Sequence, residues 1–141
     1  MSTLERAIAI AAQAHAGQID KAGEPYILHP LRVMLAVDTE AERIAAVLHD
    51  VVEDTDVTLQ QLGNEGFSDE VLAAIDLLTK QPGESRMDAA VRAKANPVAR
   101  SVKLADNLDN QDMTRIAAPS DKDRARIEEY KAIRAFLLEG A

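Results

Sequence analysis

The sequence predicts an all-α fold, and three features of its 141 residues support that class. Residues that suit helix N-caps stand before several stretches whose apolar side chains recur with the 3.6-residue period of an α-helix. Glycine and proline residues separate these stretches. No run of alternating β-branched and polar residues is long enough to predict a strand. The length and a hydrophobic content of 47% predict one domain over residues 1–141 with a single core.

Three helices are predicted in the N-terminal part of the chain. The segment Ser2-Thr3-Leu4-Glu5 is a capping box that opens the first helix, and Gly17 is a suitable stop. An ordered connection leads into a short helix over residues 30–37, because a proline at its first position suits a helix start. A second capping box, Thr39-Glu40-Ala41-Glu42, opens a third helix that extends to about Thr55.

The remaining helices are predicted from five further start signals. Each signal stands before an apolar repeat, and residues 63–66 and 81–83 supply breaks between them. The signals are Thr58 for a helix through Leu62, Ser68 for one through Leu78, Ser85 for one to about Lys94, Asn96-Pro97 for one to about Met113, and Pro119-Ser120-Asp121 for the final helix.

Composition excludes several classes of protein. The formal charge of −8 and the absence of a lysine or arginine cluster argue against a nucleic-acid-binding protein, which would carry a basic stripe. No stretch approaches the roughly eighteen consecutive apolar residues that a membrane span needs, so a soluble, cytoplasmic protein is expected. Because the sequence lacks cysteine, a metal site must use imidazole and carboxylate ligands, which suit Mn, Fe, Co, Ni, Zn or Mg. Whether the chain forms a homo-oligomer is left open.

One apolar stretch of the third predicted helix carries four groups that bind metals or transfer protons. His49 lies one turn before Glu53, and Asp50 lies one turn before Asp54, so each pair shares one side of the helix. No basic residue follows Arg43 in this segment, and the helix dipole disfavours carboxylates near a C-terminal end. An isolated His-Asp pair is usually structural, but uncompensated carboxylates beside a histidine predict a bound cation.

Further metal ligands are expected outside this stretch. Adjacent helical residues point about 100° apart, so a cation that contacts both His49 and Asp50 needs a cleft completed by other elements. His29, in the turn before the second helix, is the natural third ligand, because the sequence has three histidines and His15 is expected in the core. Asp106 is the natural fourth, since a carboxylate in an apolar helical register needs a partner or cation to offset its burial.

Four segments form an ordered set of motifs within residues 14–110. They are Ala14-His15-Ala16-Gly17-Gln18, Lys21-Ala22-Gly23-Glu24-Pro25-Tyr26-Ile27-Leu28-His29-Pro30, Leu48-His49-Asp50-Val51-Val52-Glu53-Asp54-Thr55 and Val102-Lys103-Leu104-Ala105-Asp106-Asn107-Leu108-Asp109-Asn110. In this order they resemble the motifs of HD phosphohydrolases. The closer resemblance is to the hydrolase domain of RelA/SpoT homologues, which include small single-domain alarmone hydrolases.

The resemblance implies an HD-domain helical bundle with metal-dependent phosphohydrolase activity. It implies a Mn²⁺ ion, or another divalent transition metal, held by His29, His49, Asp50 and Asp106. It also implies that Glu53 and Asp54 position or deprotonate the attacking water. In the family this reaction releases pyrophosphate from the 3′ position of guanosine tetra- or pentaphosphate, the alarmones of the stringent response.

The same resemblance implies contacts with the substrate. Lys21 matches a lysine near the substrate phosphates, and Asn110 matches an asparagine that contacts the substrate. Tyr26 either contacts the nucleoside or packs beneath the turn that carries His29. Further candidates for phosphate contacts are Arg32, Lys103 and Arg115.

Two residues depart from the family pattern and leave the substrate open. Asp20 stands where alarmone hydrolases carry an arginine that packs on guanine, and a carboxylate cannot stack in that way. Asp109 stands where they carry a histidine. The chain is therefore expected to hydrolyse either the guanosine alarmone or another phosphorylated metabolite. A non-catalytic metal- or nucleotide-binding module and a structural helical domain are also compatible with the sequence, but the presence of Glu53 and Asp54 favours catalysis.

Overall fold

The structure is a computed structural model that describes residues 2–112, 116 and 118–140. Across these residues the regular structure is helical, with one isolated antiparallel bridge between Ile19 and Pro25, so the predicted all-α fold class is confirmed. The helices of this part of the chain are α1 (Leu4–Ala14), α2 (Leu28–Leu35), α3 (Glu40–Leu48), α4 (Val51–Asp54), α5 (Leu59–Asn64), α6 (Asp69–Leu78), α7 (Arg86–Lys94), α8 (Pro97–Asn110) and α9 (Asp121–Leu138).

Side-chain caps begin most of these helices at the predicted residues. In each case the cap side chain accepts a backbone N–H of the first turn, which satisfies one of the donors that a helix start leaves free. These caps are Thr39, Thr58, Ser68, Ser85, Asn96 and Ser120. The cap of α1 is Thr3 and not Ser2, because the Thr3 hydroxyl accepts the Arg6 backbone N–H at 3.1 Å. The predicted end of α8 near Met113 lies outside the described residues.

The second helix begins two residues before the predicted proline start. Backbone hydrogen bonds from Leu28 to Pro25 (3.2 Å) and from His29 to Tyr26 (3.0 Å) wind the chain before Pro30 is reached. Pro30 then occupies the first turn, where backbone N–H groups have no partner within the helix and a proline is tolerated. His29 is therefore held by a helix and is buried.

The predicted continuous helix through the acidic quartet is wrong at residues 49 and 50. Helix α3 ends at Leu48, and α4 starts at Val51 after an Asp50 backbone with φ −100° and ψ −5°. The Ala46 carbonyl accepts the His49 backbone N–H at 3.3 Å and also lies 2.5 Å from the His49 imidazole Nδ1. This side-chain bond competes with the helical hydrogen-bond pattern at that carbonyl. The helix therefore breaks at the His-Asp pair.

The core surrounds α3, which packs against α1, α2, α6 and α8. Its consecutive residues Ile44–Leu48 are all buried, which is typical of a helix that is covered on every side. Because α3 is fixed in this way, the His-Asp pair at its end sits at a defined point in the interior. A smaller apolar cluster of Ala90, Ile133 and Leu137 joins α7 to α9.

No helix within the described ranges combines the length and apolar character that crossing a bilayer requires.

Candidate metal centre

The four predicted metal ligands converge from three elements. His29 comes from α2, His49 and Asp50 from the break between α3 and α4, and Asp106 from α8. The Nε2 atom of His49 lies 3.1 Å from Asp50 Oδ2 and 3.3 Å from Asp106 Oδ1. The Nε2 atom of His29 lies 2.9 Å from Asp106 Oδ1 and 3.6 Å from Asp50 Oδ2. His29, His49 and Asp106 therefore form one cluster of ligand atoms, and Asp50 Oδ2 lies within 3.6 Å of both Nε2 atoms.

These separations fit a shared divalent cation. Nitrogen and oxygen ligands lie about 2.1 Å from such an ion, so neighbouring ligand atoms are about 3.0–3.5 Å apart in octahedral or tetrahedral geometry. His49 is 3% exposed, and its Nε2 atom makes no hydrogen bond with any described residue. A buried polar atom without a partner is costly, and a cation would satisfy it. The residues present fit a metal ion.

Hydrogen bonds at Nδ1 leave the Nε2 atoms of both histidines available to a metal. The Nδ1 atom of His49 lies 2.5 Å from the Ala46 carbonyl oxygen, which requires Nδ1 to carry the proton. The Nδ1 atom of His29 lies 2.6 Å from Asp109 Oδ2. Metal-binding histidines usually donate their other ring N–H to a carbonyl or carboxylate in this way, which fixes the tautomer.

The electrostatic field at this point is strongly negative. Burial lowers the pKa of His29, but hydrogen bonds with Asp106 and Asp109 outweigh that effect and raise the pKa to about 9. For His49, burial is likewise outweighed by the charges of Asp50 and Asp106, which raise its pKa well above the usual value. Carboxylates that hold protons on two buried imidazoles also favour a divalent cation between them.

Two residues predicted to contact substrate also touch the metal-ligand carboxylates. The Tyr26 hydroxyl donates to Asp50 Oδ2 at 2.5 Å, and burial together with the Asp50 charge raises the Tyr26 pKa, so the hydroxyl keeps its proton. The Asn110 side-chain amide donates to Asp106 Oδ1 at 3.1 Å. Tyr26 also packs between the rings of His15 and His29, with centroid distances of 5.0 and 5.7 Å. Their contact with substrate stays a prediction.

The predicted water-activating acids lie beside the ligand cluster. One oxygen from each of Glu53, Asp54 and Asp50 falls within 4.8 Å of the others. Glu53 Oε1 accepts the backbone N–H of Lys80 at 2.7 Å, which fixes this side chain. Partial burial, together with the charges of Asp50 and Glu53, raises the Asp54 pKa to about 6. The two acids are therefore close to the metal point but exposed on its open side.

A side-chain bridge holds the turn that carries these acids. Gln18 Oε1 lies 2.8 Å from His15 Nδ1, and Gln18 Nε2 donates to the Asp54 backbone carbonyl at 3.2 Å. His15 is 2% exposed and belongs to the core, as the sequence predicted. Residues His15 and Gln18 at the end of α1 therefore hold the turn that carries Asp54, and neither is one of the predicted metal ligands.

Two adjoining cavities open from the site. The metal cavity, of about 340 Å³, is lined by the four ligands, the two acids and the basic residues Lys80, Arg86 and Lys103. The outer cavity, of about 350 Å³, extends past residues 19–22 and is bordered by Ile116 and Arg126. The two cavities share a wall formed by Tyr26, His29, Arg86, Asn110 and Tyr130. A ligand can therefore span both.

Asp20 and the predicted substrate residue Lys21 line the outer cavity. Asp20 Oδ1 accepts the backbone N–H groups of Ala22 and Glu24 at 2.9 and 3.0 Å, so this carboxylate closes the loop. The Lys21 side chain is exposed, and its Nζ atom lies 3.8 Å from Asp123 Oδ1 at the start of α9. The structure places neither residue near the metal point.

Arg86 and Asp109 are among the residues of the site that were not predicted as functional residues. Arg86 lines both cavities, and its guanidinium stands 5.3 Å from the Tyr130 ring centroid and 3.1 Å from Glu129 Oε1. Its sequence context is that of an ordinary base in the first turn of a capped helix, so no signal marked it. Asp109 contacts His29. The only sequence feature that pointed to a functional role for Asp109 was its position next to Asn110 in the last motif.

Two other phosphate candidates, Arg32 and Lys103, lie beside acidic residues of the site. Arg32 pairs with Asp109, its Nε atom lying 2.7 Å from Oδ1, and Lys103 Nζ lies 3.9 Å from Asp106 Oδ2. Arg115 lies outside the described residues.

The sequence and the fold of this chain are similar to those of known proteins. The sequence model of the HD domain matches residues 7–137. The chain belongs to the HD-domain family. This HD-domain protein is 35% identical over 147 residues to a probable GTP pyrophosphokinase of Mycobacterium leprae, with 94% of this chain and 18% of the relative covered. It is 34% identical over 136 residues to a guanosine-3′,5′-bis(diphosphate) 3′-pyrophosphohydrolase of Borreliella burgdorferi, with 84% of this chain and 20% of the relative covered.

The HD-domain protein spans about a fifth of the length of these curated relatives. Its fold matches the solved structure of a metazoan ortholog of SpoT, described as hydrolyzing ppGpp and playing a role in starvation responses. That match has a TM-score of 0.82 and 24% sequence identity, and it covers 99% of this chain and 87% of the other. The family and fold implied by the motifs are therefore confirmed.

Proposed function

We propose that this HD-domain protein is a metal-dependent phosphohydrolase that acts on a nucleotide. The observation that carries the proposal is the convergence of four ligand atoms beside the Glu53 and Asp54 carboxylates. The relatives named 3′-pyrophosphohydrolases and the solved ppGpp hydrolase support guanosine 3′,5′-bis(diphosphate) as the substrate, with its 3′-pyrophosphate as the group removed. We assign this activity to residues 1–141 acting as one domain in the cytoplasm.

The proposed metal is Mn²⁺, although other divalent transition metals also suit the ligands. Two imidazole and two carboxylate ligands suit Mn²⁺, which accepts oxygen ligands more readily than the softer metals do. A bound Mn²⁺ supplies Lewis-acid polarisation of a phosphoryl oxygen and makes a nearby water more acidic. The proposed ligands are His29, His49, Asp50 and Asp106.

The two acids of α4 divide the handling of water between them. Glu53, fixed by its bond from the Lys80 backbone, orients the attacking water with its second carboxylate oxygen. Asp54, on the turn that Gln18 holds, takes the proton from that water. The water oxygen then forms the new bond to phosphorus, and the bond between phosphorus and the 3′ oxygen breaks with its electron pair on that oxygen. The 3′ oxygen takes up a proton to become a hydroxyl, and Asp54 releases the proton that it accepted, so this carboxylate returns to its starting form.

The remaining cavity residues bind the substrate in this proposal. Lys80, Arg86 and Lys103 surround the metal cavity with positive charge that suits a pyrophosphate group. The outer cavity accepts the nucleoside, with Tyr26 and Asn110 at the junction and Lys21 at the rim. Asp20 supports the loop and makes no stacking contact with the base, which sets this chain apart from hydrolases with an arginine there.

The test is a hydrolysis assay with a panel of nucleotides that includes guanosine tetraphosphate. The Mn²⁺-loaded wild-type protein is expected to release pyrophosphate from guanosine tetraphosphate. Glu53→Gln is expected to lower kcat by about 10²–10⁴-fold, because general acid-base groups contribute on that order. Metal analysis is expected to show the same Mn²⁺ content in both proteins.

Asp56→Asn is the matched control for Glu53→Gln. Asp56 is an exposed acid three residues further along the chain, and its change also removes one negative charge. This variant is expected to keep wild-type kcat. An equal loss of rate in both variants would contradict the role of Glu53.

The same panel separates this proposal from its competitors. Turnover of another phosphorylated metabolite, without turnover of guanosine tetraphosphate, would contradict the proposed substrate. The closure of the loop by Asp20 is the observation that favours a different substrate. Full Mn²⁺ occupancy without turnover of any panel member would contradict catalysis and support a metal-binding module.

A further inference from the structure

The Asp109 carboxylate joins a metal-ligand histidine to an arginine. Asp109 Oδ2 lies 2.6 Å from His29 Nδ1 and 3.1 Å from Arg32 Nη2, and Asp109 Oδ1 accepts from Arg32 Nε at 2.7 Å. His29 and Arg32 lie one turn apart on α2, whereas Asp109 lies on α8. The Asp109 side chain is 14% exposed, so these bonds are largely screened from solvent. The carboxylate therefore clamps two helices together at the metal centre.

The clamp determines which nitrogen of His29 faces the metal ligands. A neutral imidazole can carry its proton on either nitrogen, and a ring flip exchanges their positions. A carboxylate at Nδ1 requires a proton there, so Nε2, which faces Asp106 and Asp50, is the nitrogen that can bind a metal. The His29 ring has little freedom as long as Asp109 is in place.

Arg32 in turn fixes the carboxylate. The Nε and Nη2 atoms of Arg32 each donate to one oxygen of Asp109. This paired geometry fixes the plane of the carboxylate as well as its position. A neutral imidazole at position 109 would offer one acceptor nitrogen and could not bind both partners.

We infer that Asp109 is a positioning residue that, held by Arg32, orients His29 and sets the affinity of the site for its metal. The inference rests on the metal centre of the proposed function. It gives Arg32 a role in the site other than the predicted phosphate contact. Asp109 stands where alarmone hydrolases carry a histidine. Its carboxylate places a negative charge next to the metal-ligand histidine His29, which a neutral histidine would not do.

The test is the dissociation constant of Mn²⁺, measured by calorimetric titration of the metal-free protein. Asp109→Ala is expected to weaken Mn²⁺ binding by about 10–100-fold, the range found when partners of metal-binding histidines are removed. Asp109→Asn is expected to lose less, because its amide oxygen still accepts the Nδ1 proton but lacks the charge. Arg32→Lys keeps the charge and loses the paired geometry, so it is expected to fall between the wild type and Asp109→Ala.

A spectroscopic measurement separates positioning from a general effect on folding. In the Zn²⁺-loaded wild-type protein, NMR of the ¹⁵N-labelled His29 ring is expected to show a slowly exchanging Nδ1 proton. The proton is expected to exchange fast in Asp109→Ala and to be partly protected in Asp109→Asn. Thermal unfolding of the metal-free variants checks that each one folds.

Asp112→Asn is the matched control. Asp112 lies just beyond α8, and its charge also raises the pKa of Arg32, so the variant removes a charge from the same region and leaves the Asp109 clamp in place. Its Mn²⁺ dissociation constant is expected to stay near the wild-type value. Equal Mn²⁺ affinity in folded Asp109→Ala and wild type, or an equal loss in Asp112→Asn, would overturn the inference. Failure of the wild type itself to bind Mn²⁺ would instead contradict the proposed function.

Discussion

The metal cavity and the outer cavity of this protein are built in different ways. In the metal cavity the ligands are buried or half-buried, and each ligand contacts another polar group that restricts its orientation. In the outer cavity the loop of residues 20–24 is held by its own backbone hydrogen bonds and by the Asp20 carboxylate, and Lys21 is exposed. One cavity is anchored to the core through α3, and the other is bordered by a loop and the start of α9.

This difference separates the chemistry from the choice of substrate. A change in the metal cavity disturbs a buried polar network, so its effect on metal binding is expected to be large. A change in the outer cavity alters exposed contacts, which are individually weak. Residues of the metal cavity, which determine the reaction, are therefore expected to tolerate few substitutions. Residues of the outer cavity, which determine the substrate, can be substituted at small cost to the stability of the fold.

The largest effect is expected from Asp106→Ala. This change removes a ligand that lies within 3.3 Å of both histidine Nε2 atoms, so the variant is expected to lose stoichiometric Mn²⁺ and all measurable hydrolysis. Metal at a hundred times its dissociation constant stabilises a protein by about 2.7 kcal/mol. Thermal unfolding with and without Mn²⁺ is therefore expected to show a shift in Tm for the wild type and none for Asp106→Ala.

The control for this variant is Asp76→Ala, an exposed acid on α6. It is expected to keep the full Mn²⁺-dependent shift in Tm. A shift of wild-type size in Asp106→Ala would show that the metal binds elsewhere, and the contrast between a buried metal cavity and an exposed outer cavity would lose its basis.

Much of the metal cavity could be predicted from the sequence because its charged residues stand in apolar segments, where they need a partner or a cation. Acids without nearby bases and Asp106 in an apolar helical register both indicate an interior site. The break at residues 49 and 50 could not be predicted, because it depends on the side-chain bond from His49 to the Ala46 carbonyl. Helix periodicity carries no information about such a bond. The fold class and most helix starts were predictable because local capping residues determine them.

Residues that join separate helices were harder to predict. Arg86 reaches both cavities because α7 packs against α8 and α9, and a tertiary contact of that kind leaves no local pattern. The sequence indicated only that Asp20 cannot stack on a base, and the structure shows its carboxylate bonded to the loop backbone. A carboxylate followed at two and four residues by free N–H groups forms such turns, but the pattern is too common to assign from sequence.

Arg86→Ala is expected to have an intermediate effect, since Arg86 belongs to both cavities. Loss of its charge is expected to raise KM for the nucleotide by about tenfold, equivalent to about 1.4 kcal/mol, and to leave Mn²⁺ affinity unchanged. Arg86→Lys keeps the charge but loses the guanidinium contact with Tyr130, and it is expected to recover part of the affinity. Arg124→Ala, an exposed base on α9, is the control and is expected to keep wild-type KM. A fall in kcat with constant KM would place Arg86 with the catalytic groups.

The smallest effect is expected from Asp20→Ala. Without the carboxylate, the backbone N–H groups of Ala22 and Glu24 lose their acceptor, and each such bond contributes about 1 kcal/mol. The loop is then expected to exchange its amide hydrogens faster and KM is expected to rise by less than in Arg86→Ala, while kcat stays constant because the metal cavity is untouched. Glu24→Ala removes the same charge from the same loop without removing an acceptor, so it separates the turn from simple electrostatics. Equal KM values in the two variants would mean that charge, and not loop geometry, governs how the outer cavity receives its ligand.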